Sequence, residues 1–169
     1  METVVYVQKQ LAAAKRQFDG VMQETTEEQI NWKPGGTANT IGVTLVHLAN
    51  TLDNSFQKVL QDRPSLWEKE GWGEKLGLSG PPGRVNGWDE IKSKHLALEP
   101  VSGYAAAAFK QAEDFVAGLK AEDLERIVIM YGNERPLAEV LVMQFTHTVV
   151  HTGEIAALKG MQGVKGLPV

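Results

Sequence analysis

Two histidines four residues apart, His147 and His151 in His147-Thr148-Val149-Val150-His151, are the most chemically suggestive pair in the chain. On a helix this spacing stacks two imidazoles on one face, one turn apart. Two neutral ring nitrogens so placed can grip a single divalent cation. Leu137, Val140, Leu141, Gln144, Thr148, Ile155 and Leu158 fall on the same side at 3.6-residue spacing, so the pair sits in a stripe that should face the interior. An inward-facing imidazole needs a hydrogen bond, a metal or a substrate. Gln144, Thr148 and Thr152 are on hand as hydrogen-bond partners, so a metal-free core pair is a second reading of the same residues.

A metal site needs more donors, and the other histidines are His47 and His95. His47 lies in Val46-His47-Leu48-Ala49-Asn50, early in an apolar helix. If that helix neighbours the one carrying His147 and His151, three nitrogens converge and positions stay open, the arrangement of catalytic rather than structural sites. At about 100° per residue, however, His47 points well over a right angle away from the Ile41–Leu45–Leu52 stripe, toward Asn50, Thr51 and Asn54. It joins the pair only if that polar face lines a cleft. His95, in Lys92-Ser93-Lys94-His95, reads as a surface residue.

Two acidic residues are catalytic candidates. Glu154, three residues after His151, can accept from an imidazole N–H and so orient a ligand, or form a surface pair with Lys159. Asp53, six residues after His47, is a weaker general-base candidate. Gln144, one turn before His147 and Thr148, lines a pocket or sits as a core amide. The segment from Gly160 to Gly166 lacks the strand–loop–helix context and the Lys-Ser/Thr of a phosphate loop, and reads as an exit loop. No Gly-x-Ser-x-Gly elbow occurs. With no cysteine in the chain, a thiol nucleophile, a thiolate ligand and a disulfide framework are all excluded.

Four long helices would position these groups. The first carries the stripe Val4, Val7, Leu11, Ala14, Phe18 and Val21, and Thr25 or Thr26 before Glu27-Glu28 marks a capped turn after it. Asn31-Trp32-Lys33-Pro34-Gly35-Gly36 is a breaker. The second starts near Asn39-Thr40, runs to about Asp62 on the stripe Ile41, Leu45, Leu48, Leu52, Phe56 and Val59, and stops before Pro64. The third covers about Pro100 or Val101 to Leu119, and the fourth about Pro136 to Gly160. Ile127 to Tyr131 is β-like but short and without an obvious partner, and is assigned as an extended connector. Residues 63–100 hold Trp67, Trp72, Trp88 and the turn Gly80-Pro81-Pro82-Gly83. So aromatic a segment should be an ordered crossover with one or two short helices, one near Trp88 to Lys94. Its tryptophans either pack it down or cap a cleft. The expected fold is all-α: one domain over 1–169, a four-helix bundle with a long crossover between its second and third helices.

The chain of 169 residues is long enough for a sizeable core, with a net charge of −4 and a sequence pI near 5.6. That balance, without a basic stripe, argues against nucleic-acid binding. No signal-peptide pattern and no window of 18 uncharged apolar residues is present, so a cytoplasmic protein with no membrane partner is expected. Val43, Val46 and Leu60, off the main stripe of the second helix, suggest a surface for a homodimer.

The block from His147 to Pro168, with Gly153-Glu154-Ile155 after the histidine pair and a glycine-rich exit, resembles the C-terminal signature of the DinB-like superfamily. Trp32-Lys33-Pro34 followed by a helix holding Leu45-Val46-His47-Leu48-Ala49 is similar to the family's N-terminal half. The resemblance covers nearly the whole chain apart from 63–100. It implies a bundle binding one divalent metal, zinc, nickel or iron, through His47, His147 and His151, and it implies dimers. Some members of the family are S-transferases or isomerases acting on low-molecular-weight thiols such as bacillithiol or mycothiol. Three readings follow: a metal-dependent enzyme acting on a small molecule by thiol transfer or by hydrolysis; a non-catalytic metal- or ligand-binding protein of stress response; and a metal-free bundle.

Overall fold

In the computed structural model the described residues are 3–83 and 87–167. The two termini of the expected domain, and residues 84–86 of the crossover, lie outside them. The chain is mostly helical, with eight helices and one two-stranded sheet among the described residues. The expectation of an all-α chain is corrected by that sheet.

The first long helix, α1, spans Thr3–Met22 and buries Val4, Leu11, Ala14, Phe18 and Val21, so its apolar stripe is the packing face. The short α2, Glu27–Asn31, opens on a capping box in which Thr26 Oγ1 accepts from Gln29 N and Gln29 Oε1 from Thr26 N. Next comes α3, Ile41–Asp53, with Thr40 capping Val43 N. Gly42 lets α3 approach its neighbours: a Cβ there would sit 3.0 Å from Leu96 Cδ1 and 3.1 Å from Ile30 O.

The helical path of α3 continues through a π-helical segment, Asn54–Val59, where Leu60 N–H reaches back five residues to Ser55 O. The wide turn moves the apolar stripe on by one residue. Leu60 is buried where a regular α-helix would have buried Val59, which is only partly covered. Val43 and Val46 are also buried within the chain, so these three residues are core and present no exposed surface.

Three short helices make the crossover: α4, Leu66–Glu70; α5, Trp72–Lys75; and α6, Trp88–Ser93. The chain returns in α7, Leu98–Ala117, then a 3₁₀ turn Ala121–Glu125 and the strands β1, Ile127–Met130, and β2, Asn133–Pro136. The connector expected at 127–131 is therefore half of an antiparallel hairpin, with Met130 opposite Asn133. Tyr131 and Gly132 both have positive φ, 53° and 78°, which makes the two-residue primed turn that suits strand twist. Val128 and Met130 face inward while Ile127 and Ile129 face out. The last helix, α8, is Leu137–Met161.

Long-range hydrogen bonds set the helix directions. Lys159 Nζ on α8 donates to Val21 O, Gln23 O and Thr25 Oγ1 at the C-terminal end of α1, so α1 and α8 run parallel. This buried ammonium also complements the negative end of α1 and leaves nothing for an ion pair with Glu154. Gln8 donates to Val116 O, which sets α1 antiparallel to α7. Asp53 with Tyr104, and Gln57 with Gln111, align α3 and α7 in parallel. Two parallel neighbours need a long return, and the crossover is that return. No described helix is long and apolar enough to cross a membrane.

Candidate metal centre

Helices α3 and α8 run antiparallel side by side, and their contact places His47 against His147 and His151. One nitrogen from each of the three imidazoles lies within 4.8 Å of the others. His147 Nε2 and His47 Nε2 are 2.9 Å apart. The ring centroids are separated by 4.4 to 4.9 Å with planes inclined at 61 to 80°, so the rings meet edgewise instead of stacking face to face.

His47 does share a face with Asn50, Thr51 and Asn54, but that face borders a cleft of about 520 Å³ instead of open solvent. The crossover forms the far wall. Asn50 Nδ2 donates to Pro82 O at 2.9 Å, and Trp88 Nε1 donates to Gly83 O at 3.0 Å. The Trp88 ring meets His47 edge-on with centroids 5.2 Å apart. The π-helical turn brings Ser55 and Val59 to the same cleft, and the hairpin contributes Met130 and Tyr131.

Burial disfavours the charged form of His47 and His147. Burial, with the neighbouring His151 and His47, pushes His147 down to about 4. Burial also lowers His47, reinforced by His151 and opposed by Glu154. Neutral rings carry the lone pairs a cation requires. Glu154 Oε2 accepts from His151 Nδ1 at 2.7 Å, which leaves His151 Nε2 as the free lone pair. This is the orienting role expected of Glu154, with His151 as its partner. His147 Nδ1 is buried without a hydrogen-bond partner among the described residues.

The donor set fits a divalent ion. Two nitrogens around a tetrahedral cation at about 2.0–2.1 Å stand about 3.4 Å apart, a small rotation from the observed spacing. With His47 and His151 lining the cleft and His147 behind them, the set leaves positions for water or a small molecule on the cleft side.

The remaining candidates divide cleanly. Asp53 is fully buried: Oδ1 accepts from Leu66 N at 2.7 Å, and Oδ2 from Trp67 N at 3.0 Å and Tyr104 Oη at 2.9 Å. It anchors the crossover and is no general base for the cleft. Trp67 and Trp72 pack on Tyr104, as expected of tryptophans that hold the crossover down, while Trp88 lines the cleft. Gln144 is a core amide, and Thr148 and Thr152 bond carbonyls four residues back in α8. His95 is exposed beside Glu27. Tyr131 and Lys92 were not singled out from the sequence. Gly132 after a β-like run marks a break in the chain beside the first, whereas nothing local marks Lys92.

A further hollow of about 610 Å³ lies between α1 and α7, floored by Phe18 and Phe109, and holds no histidine.

Comparison with known proteins agrees with this architecture. A family model of the DinB superfamily matches residues 10–155. A conserved protein from Enterococcus faecalis has a similar solved structure, with TM-score 0.78 and 20% identity over 94% of this chain and 96% of that one. A DinB-like protein from Bacillus cereus ATCC 10987 superposes with TM-score 0.57 and 15% identity, covering 95% of this chain and 90% of that one. No curated protein matches the chain.

Proposed function

We propose a metal-dependent reaction at the three-histidine cleft, on the premise that this chain belongs to the DinB superfamily. The observation that carries the proposal is the convergence of His47, His147 and His151 from two helices onto one point beside a cleft. These residues would hold a divalent cation, whose chemistry there is to lower the pKa of a thiol or water on an open position.

The residues of the chain set the conditions for that chemistry. Neutral His47 and His147 offer lone pairs in place of protons. Glu154 fixes the tautomer of His151. Trp88, Met130 and Tyr131 line the cleft beside the centre. The chain contains no cysteine, so a reacting thiol must arrive with the substrate. Transfer of a low-molecular-weight thiol to an electrophilic small molecule is supported by the family resemblance and suits an open three-nitrogen site. The four long helices are read as a four-helix bundle in the order up, down, down, up.

The test has two parts. Metal per chain is measured by mass spectrometry on untagged protein, and conjugation of a bacillithiol- or mycothiol-type thiol to a model electrophile is followed in the parent and in His151→Ala. Near one metal per chain, with conjugation lost in the variant, supports the proposal. Metal with hydrolysis of an activated ester but no conjugation across a thiol panel would replace thiol transfer with metal-assisted hydrolysis. Negligible metal after reconstitution overturns the mechanism.

A further inference from the structure

The histidine cleft has a second end. Trp88 and Lys92 stand four residues apart on α6, one turn along a single face, and both line the cleft. Lys92 and Asn39 also line an adjoining hollow of about 410 Å³, bounded on its other side by Lys33 and by Thr40 at the N-terminus of α3. No acidic residue is among the described residues lining this hollow.

Among the described residues some lysines are paired and others, Lys9 and Lys69 included, are not; Lys33 and Lys92 differ in lining one hollow. Lys15, Lys58, Lys94, Lys110 and Lys120 each pair with an aspartate or glutamate. Lys33 and Lys92 are exposed and have no carboxylate or hydrogen-bond partner among the described residues. Two unpaired ammonium groups therefore meet at one hollow in a protein of net charge −4, beside the positive end of α3. Lysine binds carboxylate and phosphate as a flexible point charge. The cleft next door supplies an aromatic ring at Trp88 and amides at Asn50 and Asn54.

From this arrangement we infer that Lys92 and Lys33 form an oxyanion subsite. The substrate of the histidine cleft is then a small molecule with a carboxylate or phosphate at one end, held by the two lysines, and its reacting group at the other, directed to His47, His147 and His151. The assignment of the reacting end rests on the reading proposed above; the oxyanion subsite stands on its own residues.

The experiment is a nuclear magnetic resonance titration of metal-free, ¹⁵N-labelled protein with inorganic phosphate and, separately, succinate, at constant ionic strength. Saturable shifts are expected at the amides of Asn39, Thr40 and Lys92. Affinity should fall roughly fivefold or more in Lys33→Gln/Lys92→Gln, a loss of about 1 kcal/mol. It should persist in Lys92→Arg and in the control Lys9→Gln/Lys69→Gln, whose lysines line neither space. Tighter phosphate binding identifies a phosphoryl group on the substrate, and tighter succinate binding a carboxylate. Shifts that never saturate, or that survive loss of both lysines, overturn the subsite. Because the titration needs no metal, its failure leaves the metal reading standing, and a metal-free native protein leaves the subsite standing.

Discussion

Two clusters of buried or half-buried titratable groups lie on the same helical path, six residues apart, and behave in opposite ways. Around Asp53 every polar atom is answered: two backbone N–H groups and one phenol converge on one carboxylate. Around His47 the neighbours are other imidazoles: one ring nitrogen of each of the three lies within 4.8 Å of the others, and His147 Nδ1 has no partner among the described residues. A buried ionisable group whose valences are filled by its own chain is a fastener. One that meets mainly groups of its own kind beside a cleft is a candidate donor set for a cation.

The largest expected effect separates the clusters outright. His47→Ala or His151→Ala should reduce bound metal from near one per chain to under roughly a tenth, because two imidazoles hold a divalent ion far less tightly than three. Asp53→Ala should leave metal per folded chain near that of the parent, as measured by mass spectrometry on the monodisperse fraction. Full metal retention in His47→Ala would remove that residue from the site.

Next in size is stability. Asp53→Ala strands two buried backbone donors and the Tyr104 hydroxyl. At about 1–3 kcal/mol for each unsatisfied group, with partial relaxation, a loss of about 3 kcal/mol is expected. For a chain of this length that lowers Tm by roughly 6–12 °C, measured calorimetrically on metal-free protein. A change below about 2 °C would show that the crossover is held by its tryptophans alone.

A smaller effect tests the orienting carboxylate. Glu154→Gln keeps shape but weakens the acceptor to His151 Nδ1. Metal affinity should drop about 10- to 100-fold, with Tm of the metal-free protein nearly unchanged. An unaltered affinity in competition with a chelator would reduce Glu154 to a cleft-lining charge.

The subtlest prediction concerns pH, where the clusters have opposite signs. His147 is held down to about 4, so between that value and its ordinary 6.5 the unfolded chain binds more protons. Metal-free protein therefore loses this contribution as pH falls through that window. Burial raises Asp53 above its ordinary value, so between the two the folded chain binds more protons, and acidification adds stability there. Urea midpoints at pH 7 and pH 5 should fall less in His147→Gln than in the parent. In Asp53→Asn the fall on acidification toward the ordinary carboxylate range should be greater than in the parent, since the opposing term is gone.

Much of this molecule was legible in one dimension. The stripe of α1 was read from local spacing, because a helix that buries one face must repeat its apolar residues, and so was a capped turn at Thr25 or Thr26, which the structure places at Thr26. The histidine pair was legible for the same reason. The hairpin was not, because a two-residue turn closing two four-residue strands leaves too short an alternation to show a period. Nor was the π-helical turn, which exchanges Val59 for Leu60 in the core through one wider backbone hydrogen bond.

Residue type and spacing by themselves determined that His147 and His151 share a face, that the chain has no thiol of its own, and that long helices must be joined by an aromatic-rich crossover. Tertiary structure alone decided the role of each polar residue on α3. The helical wheel turned His47 and Asp53 to given sides but said nothing of what stood there. Packing put α4 and Tyr104 against Asp53, and α8 and Trp88 against His47. The physical reason is that a side chain's direction follows from backbone geometry within one turn, whereas its chemistry follows from whatever distant chain supplies its donors, acceptors and dielectric.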